Sequence, residues 1–380
     1  MKIAFLGCGY VTNMYRLTLA MHPELALVGV SDTEYSRAVN MGRLTGAPVY
    51  RDLDALLADS GAELVVNLTS PLAHFETTKR CLMAGKHVYT EKPLAMDLAH
   101  AIELAELADS KQLMLSSAPC TLMSEAAQTV WRAVREERVG TVRLVYAEME
   151  DGMIHRAPLK AWVNEAGTGW PYINEFETGC TVEHAGYVLT WLVAMFGRAI
   201  SVTAFSDTLV HNKVPGQVLA PADDYSVACI KFASGAVARM TNGIYAEHDH
   251  RLRIFGDEGV LEVQDPRSDR SPVKLRRYYS LRRRRALMPW AQNIPLLFPP
   301  GQQRMVKYRG SQSRDFCRSI ADMAAAWRTG NPHYLGGRLA LHVTELTLAC
   351  QNASALAAQG QMPYTMTTDP GELNPLPWAA

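Results

Sequence analysis

Two glycines one residue apart, Gly7 and Gly9, follow directly on the apolar run Ile3-Ala4-Phe5-Leu6, and this junction constrains the chain more than any other feature. A strand that ends in Gly-x-Gly turns sharply into a helix. Its bare backbone leaves amide groups open to an anion at the helix N-terminus, where the helix dipole favours negative charge. Further apolar runs lie at residues 25–30, 64–68, 87–89 and 113–116, with helix-like stretches between them at 52–58 and 72–84. Strands alternating with helices predict βαβ units, a parallel sheet and a ligand at the carboxyl ends of its strands.

The pattern changes after Pro119. One helix-like stretch at 124–138 gives way to longer alternating runs at 142–150, 200–205, 225–232, 236–245, 251–255 and 260–264. Ser234-Gly235 and Asp257-Glu258-Gly259 supply turns between neighbouring runs. These runs predict an antiparallel or mixed sheet with one covered face, and helices at 187–196, 314–328 and 337–358 are placed to cover it. The expected division is a first domain at 1–118 and a second at 119–380, and 380 residues accommodate both.

With 38 basic and 38 acidic residues the formal charge is zero, which argues against nucleic acid or an acidic membrane as a general partner. Residues 274–285 hold seven Lys or Arg and no acid, yet Tyr278, Tyr279 and Leu281 interrupt them, so a solvated connection or a subunit contact is expected. Seven cysteines form no C-x-x-C pair, and no run of 18 apolar residues occurs. Together with the strand-like start at Ile3, these features lead us to expect a cytoplasmic protein without signal peptide, disulfide or membrane span. His248-Asp249-His250 offers two histidines and only a partial metal site, so no metal is expected.

Gly7, Gly9, Tyr10 and Val11 form the expected phosphate turn, with Thr12 where a third glycine would complete G-x-G-x-x-G. Asp32 ends the second apolar run, 23 residues beyond Gly9, where a carboxylate accepts ribose hydroxyls and repels a 2′-phosphate. NAD is therefore expected over NADP, while the nearby Arg37 keeps NADP open. Thr69-Ser70-Pro71, with His74 just beyond, follows the third run and is expected along the nicotinamide side. Glu91-Lys92-Pro93 follows the fourth.

In this order, the glycine turn, Asp32, Thr69-Ser70-Pro71 with His74, and Glu91-Lys92-Pro93 resemble the Gfo/Idh/MocA oxidoreductases, from Met1 to about Thr367. The resemblance implies an α/β chain. An N-terminal Rossmann dinucleotide-binding domain would precede an α+β domain with a large, open-faced, mostly antiparallel sheet. It also implies a nicotinamide cofactor, a sugar or polyol substrate, and a homodimer or homotetramer formed through that sheet. Carried onto this chain, it places Lys92 beside nicotinamide and substrate, with Glu91 helping to hold the ring.

The family's D-x-G-x-H helix corresponds here to Glu183, Ala185 and Tyr187, counted back from Gly197. Glu183 and Tyr187 are four apart and share a helical face, whereas His184 points about 100° away. The resemblance allows tyrosine in the histidine slot, and a phenol that is protonated at neutral pH can serve as a general acid. Upstream, Trp162, Trp170, Tyr172, Glu175 and, on the helix, His184 are candidates for sugar recognition, because flat rings cover C–H faces while polar groups fix hydroxyls. The expected activity is hydride transfer between nicotinamide and a carbinol or keto carbon, with Lys92 polarising the oxygen, Tyr187 moving its proton and Glu183 orienting the pair. Two alternatives stay open: an NAD-dependent glycosidase working by transient oxidation and elimination, and a non-catalytic dinucleotide sensor.

Overall fold

The structure is a computed structural model and describes residues 1–300 and 314–380. It resolves into two compact units. The first comprises Met1–Cys120, Arg156–Thr178 and Asp315–Glu345, and the second Thr121–His155, Gly179–Arg314 and Leu346–Ala380. The sequence division treated 119–380 as one uninterrupted domain. By packing, two of its segments belong with the N-terminal one.

In the first unit, strands β1 (Lys2–Leu6), β2 (Ala26–Ser31), β3 (Leu64–Asn67), β4 (His87–Thr90) and β5 (Leu115–Ser117) form a parallel sheet in the order β2-β1-β3-β4-β5. The short apolar runs were the right signal, because such strands are buried on both faces. Alternation divides β1 between two cores. Ile3 and Phe5 pack with Tyr15, Val30, Met41 and Val66, and Ala4 and Leu6 with Leu56, Val65, Leu82 and Leu104. The first core is completed by Ile320 and Met323 from the helix Arg318–Thr329 and by Cys317 just before it. Each fully buried side chain of this size contributes about 1.5–3 kcal/mol. Asp52 and Asp97 cap the helices that follow them by accepting the amides of Ala55 and His100, both at 2.9 Å. The chain leaves β1 toward β2 on one side and reaches β3 on the other, so the strand order reverses between β1 and β3, where ligands of such sheets bind.

The second unit is built on β6 (Val142–Glu150), β7 (Ala199–Asp207), β8 (Tyr225–Phe232), β9 (Val237–Gly243), β10 (Leu252–Gly256), β11 (Gly259–Val263), β12 (Val273–Leu281), β13 (Arg284–Leu287), β14 (Gln292–Ile294) and β15 (Tyr364–Thr365). Their order is β13-β12-β11-β10-β6-β9-β8-β7-β15, with β14 beside β12. All pairs are antiparallel except β6 with β9. The helix Gly186–Phe196 is apolar all round and buried along most of its length. Trp191 is fully enclosed and donates its indole N–H to Thr121 at 3.2 Å. Ser124 caps the helix Glu125–Arg135, which packs beside it.

The basic stretch is not a connection. Residues 273–287 form the β12–β13 hairpin, turning at Arg282-Arg283. Val273 and Leu275 face inward, while Arg276 meets Glu262 and Arg285 meets Glu258. The cations are thus partly matched, as an edge strand requires.

One contact in the first unit sets a pH dependence. The His22 ring lies 2.9 Å from Asp315 and 3.3 Å from Glu24, tying the first βα unit to residues near 318. Burial opposes protonation of His22, but the two carboxylates outweigh it and its pKa is raised. The stabilisation is therefore complete below the ordinary histidine pKa and is lost as pH rises through the folded value. Denaturation midpoints measured from pH 5.5 to 8.5 should decline with rising pH, and His22→Gln should remove that decline. Parallel curves for the two proteins would refute it.

Candidate functional site

In the first unit, Gly7 takes φ +93°, and a Cβ there would stand 2.6 Å from the Leu68 carbonyl oxygen at the end of β3. Glycine is therefore fixed by the turn itself. At Gly9 an added Cβ meets nothing within 4 Å, so packing does not require glycine there. The open space in front of the helix Thr12–Leu19 is what a pyrophosphate needs. Thr12, in the third glycine position, is wholly buried, and its hydroxyl donates to Gly7 O at 2.9 Å, tightening the turn instead of obstructing it.

Asp32 accepts the amides of Cys8 at 2.6 Å and Glu34 at 2.7 Å, which holds its carboxylate at the end of β2 beside the turn. Burial, together with the charge of Asp32, pushes the Cys8 thiol up to about 12, so it stays neutral. Open space at Gly9, a helix N-terminus behind it and a fixed carboxylate at the ribose position fit a dinucleotide.

Thr69 binds Asn67 Oδ1 through its hydroxyl at 2.8 Å, and Pro71 opens the short turn that leads into the helix His74–Met83. His74 is buried. Its Nδ1 lies 2.7 Å from Pro93 O and its Nε2 3.1 Å from Thr69 O. Burial lowers its pKa, and the neutral ring has a single N–H to give to one of these two carbonyl oxygens. It braces the site from behind. Glu91, also buried, accepts the Tyr15 hydroxyl at 2.7 Å and the Lys92 amide at 3.1 Å, and its own N–H continues the sheet to Asn67 O. The sequence reading missed Tyr15, because nothing near it in the helix Thr12–Leu19 points to Glu91 as a partner. Lys92 is half-buried just beyond β4.

Residues 162–170 form a small hairpin in this same unit. Asn164 donates to Tyr10 O at 2.9 Å, Asn40 to Ala166 O at 2.6 Å, and Arg16 pairs with Glu165 at 3.5 Å. Trp170 packs against Trp162, Tyr172 and Phe176, and donates its N–H to Glu175 at 3.1 Å. Burial and the Glu175 charge raise the Tyr10 pKa. Trp162, Trp170, Tyr172 and Glu175 thus come together, and a side-chain bond ties their hairpin to the glycine turn.

In the second unit, the helices Cys180–His184 and Gly186–Phe196 are joined through Ala185, which keeps helical dihedrals, so Glu183 and Tyr187 remain one turn apart. Glu183 is buried, whereas Tyr187 is partly exposed. The Arg314 guanidinium lies 5.0 Å from the Tyr187 ring centroid, and its pKa is raised because the Tyr187 side chain outweighs the cost of burial. No spacing in the sequence pointed to this partner. His184 instead contacts Asp151, at 2.9 Å. His248 and His250 do not stand by themselves either, since Asp151 joins them. The seven cysteines form no disulfide with one another, and no helix among the described residues is long and apolar enough to cross a membrane.

Comparison with known proteins agrees with this architecture. The family described as "Oxidoreductase family, NAD-binding Rossmann fold" matches residues 1–118, and "GFO/IDH/MocA C-terminal domain" matches residues 127–262. Myo-inositol 2-dehydrogenase of Thermotoga maritima is 24% identical over 275 residues, covering 70% of this chain and 76% of that protein. The aldose-aldose oxidoreductase of Caulobacter crescentus, solved with glycerol, superposes with a TM-score of 0.72 at 20% identity, over 94% of this chain and 98% of that one. The WlbA dehydrogenase of Bordetella pertussis, solved with NADH and UDP-GlcNAcA, superposes with a TM-score of 0.70 at 18% identity, over 94% and 97%. At such identities the solved structures speak for the fold. The two family matches go further, and the chain belongs to the Gfo/Idh/MocA family of NAD-binding oxidoreductases.

Proposed function

We propose that this oxidoreductase transfers hydride between a nicotinamide dinucleotide and a carbinol or keto carbon of a sugar, a nucleotide-linked sugar or a cyclitol. The observation that carries the reading is the fixed array around Lys92: Tyr15 holds Glu91, Glu91 holds the Lys92 amide, and His74 holds Pro93. The bound dinucleotide supplies the hydride acceptor or donor. Gly7, Gly9, Tyr10 and Val11 bind its phosphates through the turn, and Asp32 takes its ribose hydroxyls. Thr69, Pro71, Glu91 and Lys92 line the nicotinamide side.

The Lys92 ammonium stabilises negative charge on the substrate oxygen, an effect that is largest where water is excluded. Tyr187 exchanges a proton with that oxygen, and the Arg314 guanidinium, 5.0 Å from its ring centroid, holds the ring in place. Glu183 orients the helix turn that carries Tyr187. The rings of Trp162, Trp170 and Tyr172 and the polar groups of Glu175 and His184 suit a polyhydroxylated substrate. Pairing of copies through the large sheet belongs to the same reading, supported by the half-buried Tyr146–Phe255 pair with Arg239 and Arg253 over the Tyr146 ring.

The test uses the full chain with NAD or NADP and a panel of inositols, aldoses and UDP-sugars, following nicotinamide absorbance. Turnover with NAD is expected. Tyr187→Phe should reduce it by about 10²–10⁴-fold, the usual contribution of a general acid or base. Dinucleotide binding without hydride transfer to or from any of these substrates would overturn the proposal.

A further inference from the structure

One group of ligating side chains stands apart from the proposed hydride chemistry. At the end of β6, Glu150 and Asp249 exchange backbone hydrogen bonds, Glu150 N to Asp249 O at 2.9 Å and Asp249 N to Glu150 O at 3.0 Å. Antiparallel register then sets Asp151 across from His248, and strand alternation brings His250 to the same side as His248. One donor atom from each of Asp151, His248 and His250 lies within 4.8 Å of the other two.

Several details favour an ion over a set of side-chain pairs. Asp151 Oδ1 and His250 Nε2 share a hydrogen bond at 3.1 Å, close to the separation of about 3.3 Å between two ligands 2.0–2.1 Å from a tetrahedral zinc, so an ion replaces the shared proton with little movement. Asp265 stands 3.8 Å behind the Nδ1 of His250, the place of the outer carboxylate that fixes a ligating imidazole. His184 Nδ1 and Asp151 Oδ2 approach to 2.9 Å, yet their alignment does not make a hydrogen bond, and both atoms are buried. His248 is exposed, which leaves an entry path.

We propose that Asp151, His248 and His250 bind a divalent transition cation of the zinc class, with His184 beside the second oxygen of Asp151. Two imidazoles and one carboxylate suit such an ion. Calcium and magnesium prefer all-oxygen shells. The ion links the end of β6 to the 248–250 segment and, through His184, to the helix that carries Glu183. Arg267, 3.6 Å from Asp151 Oδ1, competes for the same carboxylate.

The experiment measures metal in the full chain as purified, then strips it with chelator and titrates Co²⁺ by visible absorption and Zn²⁺ by calorimetry. About one ion per chain is expected, with affinity at least about tenfold weaker in His248→Ala and Asp151→Asn, since loss even of an outer-shell partner costs that much. His248 is exposed, so its removal leaves the fold intact and the affinity readable. Arg267→Gln should bind the ion more tightly than wild type, because a competing cation is gone. A wild-type protein that folds, carries no ion and gives no Co²⁺ band would show an ion-pair network only and overturn the proposal. Equal affinity in the wild type and both ligand variants would do the same.

Discussion

Replacement of Lys92 by alanine is expected to lower kcat by about 10²–10³-fold, the cost of deleting one group aimed at a developing oxyanion. The expectation rests on how tightly the lysine's backbone is held. β4 is buried from His87 to Thr90, and the Glu91 amide carries the ladder one residue further, to Asn67 O at 2.8 Å. The Glu91 carboxylate, clamped by the Tyr15 hydroxyl, then takes the Lys92 amide. A side chain starting from so fixed a base loses little freedom when it meets its target, so its charge acts on the transition state with little reorganisation. Dinucleotide affinity should change much less than kcat, because the glycine turn and Asp32 are untouched. Lys92→Arg keeps the charge at a different reach and should fall between the two. Saturation kinetics on wild type and both variants, with dinucleotide binding measured separately, decide the matter. An alanine variant with the kcat of wild type would remove Lys92 from the chemistry.

The second large effect separates the two glycines of the turn. Gly9→Val should leave thermal stability close to that of wild type, since an added Cβ there meets no protein atom within 4 Å. It should nonetheless weaken dinucleotide binding by about ten- to a hundredfold, because a branched side chain enters the space left for the pyrophosphate. Overpacking costs about 1–3 kcal/mol, and each 1.4 kcal/mol is a factor of ten. Gly7→Ala should behave in the opposite order. Its φ of +93° and the Leu68 carbonyl 2.6 Å from the new Cβ make the folded state itself strained, so the melting temperature falls first and binding follows. Melting curves with and without NAD distinguish the pair. Equal NAD-induced shifts in wild type and Gly9→Val would mean that the pyrophosphate lies elsewhere.

How much of this could be read from the chain depends on the range of the interaction. The five short apolar runs became β1 to β5 because burial on both faces is written in consecutive residues, and the helix-like stretches at 52–58 and 124–138 start at Asp52 and Ser124, which the structure shows as caps. The order of motifs was sufficient to place the family. Long-range pairings left no such trace. Tyr15 looks like any core aromatic until Glu91 is brought to its hydroxyl. Asp151 is 97 residues from His248 in sequence, so only the register of β6 could join them. The basic stretch misled because charge masked a strand whose inward residues, Val273 and Leu275, alternate with Lys274 and Arg276. The aromatic cluster was recognised by composition, but nothing local revealed that Asn164 would bind the Tyr10 carbonyl.

The first unit is assembled from three stretches of chain, the last of which closes only at Glu345. Cys317, Ile320 and Met323 complete the core around Phe5 and Tyr15. On the ribosome the nucleotide-binding unit therefore stays unfinished, with an apolar flank unshielded, until residues 317–323 have emerged. A fragment cut at residue 118 would inherit that uncovered flank permanently. Cofactor affinity therefore has to wait for residues 317–323, long after β5 has emerged.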